Sequence, residues 1–267
     1  MAGWDCHAHL FGPYDRFPLA ADRSYTPPEA VVADYLALLS RLGLAHGVLV
    51  HPSAYGDDFS LLFHALAAEP SLRGVVVVRP GTLPTLTGLR DKGVRGARFS
   101  HRSAAGGNFA GSASFDDLIA LAPELADAGL HVEVWTDCKV LPDIADKLRD
   151  LPVPVVIDHM GGFDPNAGID EPGFRCLLAL LEAGHASVKV CAYRNLLGVQ
   201  NFELGRPFHR ALLDANPGGL VWGTDWPHLR VQPAPDTAGL LATLERWTDD
   251  ESLVQRILVD NPAAIYA

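Results

Sequence analysis

The feature that most narrows the fold is an alternation. Short apolar, β-rich runs recur along the chain, separated by longer stretches with helical spacing. Two of the runs, GVVVVRP (Gly74–Pro80) and VPVVIDHM (Val153–Met160), are almost continuously apolar. That is the pattern of parallel strands covered on both faces by helices. Strands are expected at Gly3–His9, Gly47–His51, Gly74–Arg79, Arg95–Phe99, His131–Thr136, Val153–His159, Ser187–Ala192 and Leu220–Asp225. Eight strands in 267 residues favour a closed (β/α)8 TIM barrel of the α/β class over an open doubly wound sheet, since such barrels run to roughly 250 residues. No linker, charge block or low-complexity segment divides the chain, so residues 1–267 are expected to form a single domain.

Helices are expected between the strands. PPEAVVADYLALLSRLG has proline near its start and glycine at its end, the usual asymmetry. SFDDLIALAPELADAG opens on Ser114 as a cap and closes on Gly129, with Pro123 expected to kink it or to start a second short helix. Further helical patterns follow in CKVLPDIADKLRDL, DEPGFRCLLALLEAG, FELGRPFHRALLDAN and the long segment from Asp236 to the end. The Gly/Ser/Ala-rich stretch Ala104–Ser114 lacks any phosphate-binding glycine pattern and is either a lid over the strand ends or a plain surface loop.

Charge narrows the partners. Asp and Glu number 32 against 21 Lys and Arg, a net charge of −11, which disfavours nucleic acid and an anionic membrane surface. An anionic small molecule is not disfavoured, because a few arginines inside a pocket outweigh a distant surface. No apolar run reaches the roughly 18 residues of a membrane span, and no basic-then-apolar leader opens the chain. Cys6, Cys138, Cys176 and Cys191 are scattered without metal or redox spacing, as in a reduced, cytoplasmic protein.

In a barrel of this kind chemistry belongs at the C-terminal ends of the strands. His7 and His9 close the first strand and, two apart, share a face. They can bind a metal or donate to a substrate oxygen; two solvated histidines are the plainer alternative. His51 and Ser53 end the second strand, Arg98 the fourth, Trp135 the fifth, His159 the sixth and Asp225 the eighth, with Arg194 just past the seventh. Asp225 can act as a base toward water, as a metal ligand, or simply as a helix cap. Arg98 and Arg194 can each grip a carboxylate or pair with a neighbouring acid. Glu133 lies one pleat deeper than Trp135 and is a possible buried carboxylate. His46, His64, His131, His185 and His209 are expected to be structural, and His228 to stand behind the site.

The segments DCHAHLFGP, YTPPEA, GVRGARF, LPVPVVIDHMG, VKVCAYR, VWGTDWPH and DNPAAIY, in this order, resemble the amidohydrolase superfamily. More narrowly they resemble the branch that contains 2-pyrone-4,6-dicarboxylate lactonase and related sugar and sulfo-lactonases. The resemblance implies hydrolysis of an acidic lactone, such as an intermediate of aromatic catabolism. It implies that Asp225 activates water while His7, His9 and His159 polarise the carbonyl. Arg98 and Arg194 would hold substrate acid groups, and Tyr25 matches a tyrosine of that branch and joins the pocket. Ser53 and Trp135, at the same rim by their place at the strand ends, are further candidates for binding substrate. No metal cofactor is favoured; the alternative is Zn²⁺ or Mn²⁺ held by His7, His9, His159 and Asp225, as in metal-dependent lactonases, amidohydrolases and decarboxylases of the superfamily. A non-catalytic binding barrel is the reading from another class. Two departures stand out. The loop FSHRSAAGG offers Arg102 but has Ala104 where a cation is expected, and Trp135 replaces a tyrosine. Both point to a lactone with one acid group, or to a sulfonate.

Overall fold

The computed structural model describes residues 3–83, 85–103, 109–197 and 201–267. Eight parallel strands form one sheet in sequence order: β1 (Trp4–Ala8), β2 (His46–Val50), β3 (Leu72–Val76), β4 (Val94–His101), β5 (His131–Thr136), β6 (Val155–Ile157), β7 (Ser187–Val190) and β8 (Leu220–Trp222). A parallel bridge between Ala8 and Trp226 brings the end of the sheet back to its beginning. The expected barrel is therefore present. Its helices are α1 (Val32–Leu42), α2 (Ser60–Ala68), α3 (Phe115–Asp127), α4 (Leu141–Arg149), α5 (Pro172–Glu182), α6 (Arg206–Ala215), α7 (Thr237–Thr248), α8 (Glu251–Gln255) and α9 (Asn261–Tyr266).

Three differences from the sequence reading have physical reasons. Helix α2 was not expected: SLLFHALAA is apolar on nearly every side, so it carries no helical stripe. Pro123 neither ends nor splits α3, which runs through it. Proline removes the donor that would bond the carbonyl of Ile119, and both residues are exposed, so water can take that carbonyl. The eighth strand ends at Trp222, so Asp225 stands in the loop beyond it with a left-handed backbone (φ 57°). Ser114 does cap α3, in a full capping box with Asp117. Of the glycine-rich stretch, residues 104–108 lie outside the described residues.

The barrel interior and the sheet–helix layer are separate cores. Trp4 and Cys6 pack inside with Val48, Val50, Val75, Val221 and Tyr266, while the larger cluster joins the outer strand faces to the helices. Strict alternation after Trp4 and Cys6 would send His7 outward. An irregularity in the β1–β2 register between Asp5 and Ala8 prevents this. Asp5 points to α1 and accepts from the Tyr35 hydroxyl (3.0 Å), whereas His7 turns inward beside His9. Such a bulge re-aims one side chain at the cost of regular pairing. Gly223 leaves the room: a Cβ there would lie 2.7 Å from Cβ of His7.

The four cysteines are free. No helix among the described residues is long and apolar enough to cross a membrane.

Burial pushes His7, His51, His209 and His228 down from 6.5 to about 4. The folded chain therefore holds them neutral where the unfolded chain protonates them. Stability from this source is complete above pH 6.5 and is lost as pH falls toward 4. Asp5 opposes the trend, because burial raises its carboxyl from 3.8 to about 6 and the folded form takes up its proton first. Four groups against one set the sign: urea unfolding at about pH 4.5 is expected to show lower stability than at about pH 7. A flat profile would mean that these rings are not buried neutral.

Candidate active site

The loops past the strand ends are tied together by backbone bonds before any side chain acts. Asp225 N donates to His7 O and His9 N to Trp226 O, both at 2.8 Å. Asp5 accepts from Thr224 N (2.8 Å) and its hydroxyl (2.7 Å). Residues near the two ends of the chain are thus held in one fixed relation. After β6 the turn Asp158–Gly162 includes His159, Met160 and Gly161 with left-handed backbone (φ 51°, 53° and 66°), which swings Asp158 and His159 inward together. Non-glycine residues hold such conformations only where the surroundings enforce them.

A cavity of about 150 Å³ opens above these loops. His9, His159 and Asp225 line it. His7 stands behind them, fully buried, its ring 5.0 Å from that of His9 and 4.7 Å from that of His159. The Asp225 Oδ1 atom lies 3.5 Å from His9 Nε2 and 3.8 Å from His7 Nε2. Its Oδ2 accepts from the Tyr193 hydroxyl (2.7 Å) and from Arg194 Nε. Burial alone would raise the Asp225 carboxyl, but the Arg194 guanidinium, aided by the histidines, holds it well below the usual carboxylate range. It is therefore ionised at neutral pH.

Arg98, Arg194 and Arg230 also line the cavity, with Tyr25, Ser53 and Trp135. Every residue anticipated for substrate binding is therefore at this cavity. Each anticipated arginine pairs with a neighbouring acid, Arg98 Nε donating to Asp158 (2.7 Å) and Arg194 to Asp225, and each also lines the cavity. Trp135 is flanked by the Arg98 and Arg102 guanidinium groups at 5.1 and 4.6 Å from its ring. Arg102 turns toward Asp137 (3.6 Å). Tyr25 carries Arg230 over its ring at 4.8 Å, and burial raises its hydroxyl against hydrogen bonds from Ser53 and Ala54. His228 sits behind the wall, against Thr237 (2.9 Å).

Beneath the histidines lies a group that the sequence reading missed. The Lys189 ammonium, fully buried, lies 2.6 Å from Glu133 Oε2, 3.3 Å from Asp158 Oδ1 and 3.1 Å from His7 Nδ1. The Tyr266 hydroxyl donates to the other Glu133 oxygen (2.9 Å), and His131 lies 3.4 Å from it. Burial would raise Glu133 and Asp158, yet the ammonium between them keeps both below their usual range; they in turn keep Lys189 charged. The missed signal was a lysine between Val188 and Val190, inside a strand covered on both faces. Asp158 was overlooked beside His159, and Arg230 because it lies past the last strand. Glu133, weighed as a buried carboxylate, is one.

Among the described residues two groups have spacing suited to a metal ion: His7, His159 and Asp225, and His7, Glu133 and Asp158. The first also has two buried nitrogens without hydrogen-bond partners, His7 Nε2 and His159 Nδ1.

A family model described as amidohydrolase matches residues 4–267. The 4-sulfomuconolactone hydrolase of Rhizobium radiobacter is 35% identical over 98% of this chain and 89% of its own. The 2-pyrone-4,6-dicarboxylate hydrolase of Comamonas testosteroni is 33% identical over 98% and 89%. A ligand-free crystal structure of an Agrobacterium tumefaciens protein superimposes with a TM-score of 0.87 at 26% identity, covering 99% of this chain and 95% of that one. The match along almost the whole chain places this protein in the amidohydrolase family.

Proposed function

We propose that this protein hydrolyses a lactone bearing an acidic substituent, of the kind formed during the breakdown of aromatic compounds. One observation carries the reading: an ionised carboxylate, Asp225, meets His9 and His159 at the floor of a cavity rimmed by arginines. The relatives named for opening 4-sulfomuconolactone and 2-pyrone-4,6-dicarboxylate support it.

The chemistry follows from the placement. A water beside Asp225 Oδ1 attacks the lactone carbonyl carbon and gives its proton to the carboxylate. The imidazoles polarise the carbonyl and stabilise the oxyanion that develops. The ring C–O bond then breaks, and the departing oxygen takes the proton back from Asp225. Water and lactone become one open-chain acid with a freed hydroxyl, and no other reagent is needed.

Asp225 is a weak base as it stands, because Arg194 lies on it. An acid group on the substrate that engages the same guanidinium relieves that hold and raises the basicity of Asp225. Binding of the correct, anionic lactone thus favours proton transfer. Arg230 adds a further contact. Arg98 is paired with Asp158 and Arg194 with Asp225, whereas no carboxylate among the described residues pairs with Arg230. The balance of charge at the cavity wall is one cation in excess, which suits a substrate anion.

A second reading rests on the unpartnered nitrogens of His7 and His159 next to Asp225. Together with His9 they would hold a divalent cation, which supplies Lewis acidity to the carbonyl when bound.

Asp225→Asn is expected to keep the fold and lower kcat by about 100-fold or more; a variant that retained most of its rate would remove Asp225 as the base. Arg230→Met is expected to raise KM for acidic lactones by about tenfold while leaving neutral lactones unchanged, since a hydrogen bond to a charged group contributes ~1.5–3 kcal/mol. Equal losses on both would contradict the anion contact. Metal analysis separates the two readings. Full turnover in chelator-treated, metal-free protein establishes the first, and stoichiometric metal whose removal abolishes and whose return restores turnover establishes the second.

A further inference from the structure

The adjacent histidines of the first strand are held in opposite senses. His9 Nδ1 lies 2.8 Å from the carbonyl of Val50. A carbonyl only accepts, so Nδ1 of His9 carries a proton. His7 Nδ1 instead faces the Lys189 ammonium at 3.1 Å. An ammonium has three N–H donors and no lone pair, so it can only donate. Two N–H groups cannot face each other at that distance. A proton on Nδ1 would be set against that ammonium, so the facing nitrogen carries the lone pair and the ring proton belongs on Nε2.

We propose that Lys189 is a positioning residue: by donating to Nδ1 of His7 it confines the ring proton to Nε2, directed at Asp225 Oδ1. The competitor is Asp158 Oδ1, which lies farther from the same nitrogen (3.5 Å) and itself lies 3.3 Å from Lys189. If Asp158 captured His7, the proton would sit on Nδ1 and Nε2 would show Asp225 a lone pair, which repels a carboxylate. With Lys189 in control, His7 presents an N–H to Asp225 instead of a lone pair. Glu133 and Tyr266 hold Lys189 in place from the far side. The proton location concerns the resting protein and does not depend on the substrate. Its effect on rate rests on Asp225 being the base.

The direct test is long-range ¹H–¹⁵N correlation on histidine-labelled wild-type protein near pH 7.5, with His7 and His9 assigned by single His→Gln variants. Protonated and unprotonated ring nitrogens differ widely in shift. The expected result is a proton on Nε2 of His7 and on Nδ1 of His9. A proton on Nδ1 of His7, donated to Asp158, overturns the proposal; it is also the form in which Nε2 could ligate a metal. Lys189→Met leaves two buried carboxylates with one cation fewer, so Lys189→Met/Glu133→Gln is the companion variant. In the folded variant the His7 proton is expected to move to Nδ1. On an acidic lactone kcat should fall about tenfold or more with KM changed less than about threefold. A folded double variant that keeps Nε2–H on His7, or keeps wild-type kcat, overturns the proposal. Should wild-type protein open no lactone at all, the function proposed above fails, and the spectrum still decides the place of the proton.

Discussion

A single ammonium with no exposure to water organises the floor of this barrel. Taking an ion out of water costs several kcal/mol even after the protein relaxes, so Lys189 is tolerable only with partners. It has Glu133 and Asp158, and Asp158 is matched by Arg98. Two cations and two carboxylates therefore balance within the lumen. Apolar side chains of similar volume would hold a barrel as well or better. The charges are better understood as specifying where His7 and Arg98 stand, because each has one geometry that satisfies the carboxylate between them.

The upper layer uses the same logic with a different balance. Asp225 is fixed by Tyr193 and Arg194 on one oxygen and faces the two histidines with the other. Backbone bonds from Asp225 to His7 and from His9 to Trp226 make the first strand and the last loop a single rigid piece. The bulge at His7 and the close approach of Gly223 belong to that piece. Local irregularity is concentrated here: the left-handed backbones of His159 and Asp225 border the cavity. This is where strain is expected if it helps to position reacting groups.

Much of this was legible in the residues because barrels obey periodic rules. Continuous apolar runs separated by helical patterns specify parallel strands, and polar residues at their C-terminal ends then fall on one rim. His9, His159, Asp225, Arg98 and Arg194 were found by that route. What escaped was whatever broke the period or lacked one. Helix α2 is apolar on nearly all sides. The bulge turns His7 inward for a reason that no spacing reveals, even though the pairing of His7 with His9 was foreseen. Lys189 and Asp158 lie in or beside strands otherwise read as plain core, and their role depends on partners from β5, β6 and β1 that only the closed barrel assembles. Arg230 depends on a loop whose course is set by Arg194 donating to the Leu229 carbonyl (2.9 Å).

Tyr266, in the final helix, reaches through the bottom of the barrel to Glu133 and stacks near Trp4 of the first strand. A barrel in which that helix has come away keeps every side chain of the rim. Its lower carboxylate nevertheless lacks one of its donors, and the lysine above it loses support. Damage at the closed end is thus felt at the open one, although no rim residue has changed.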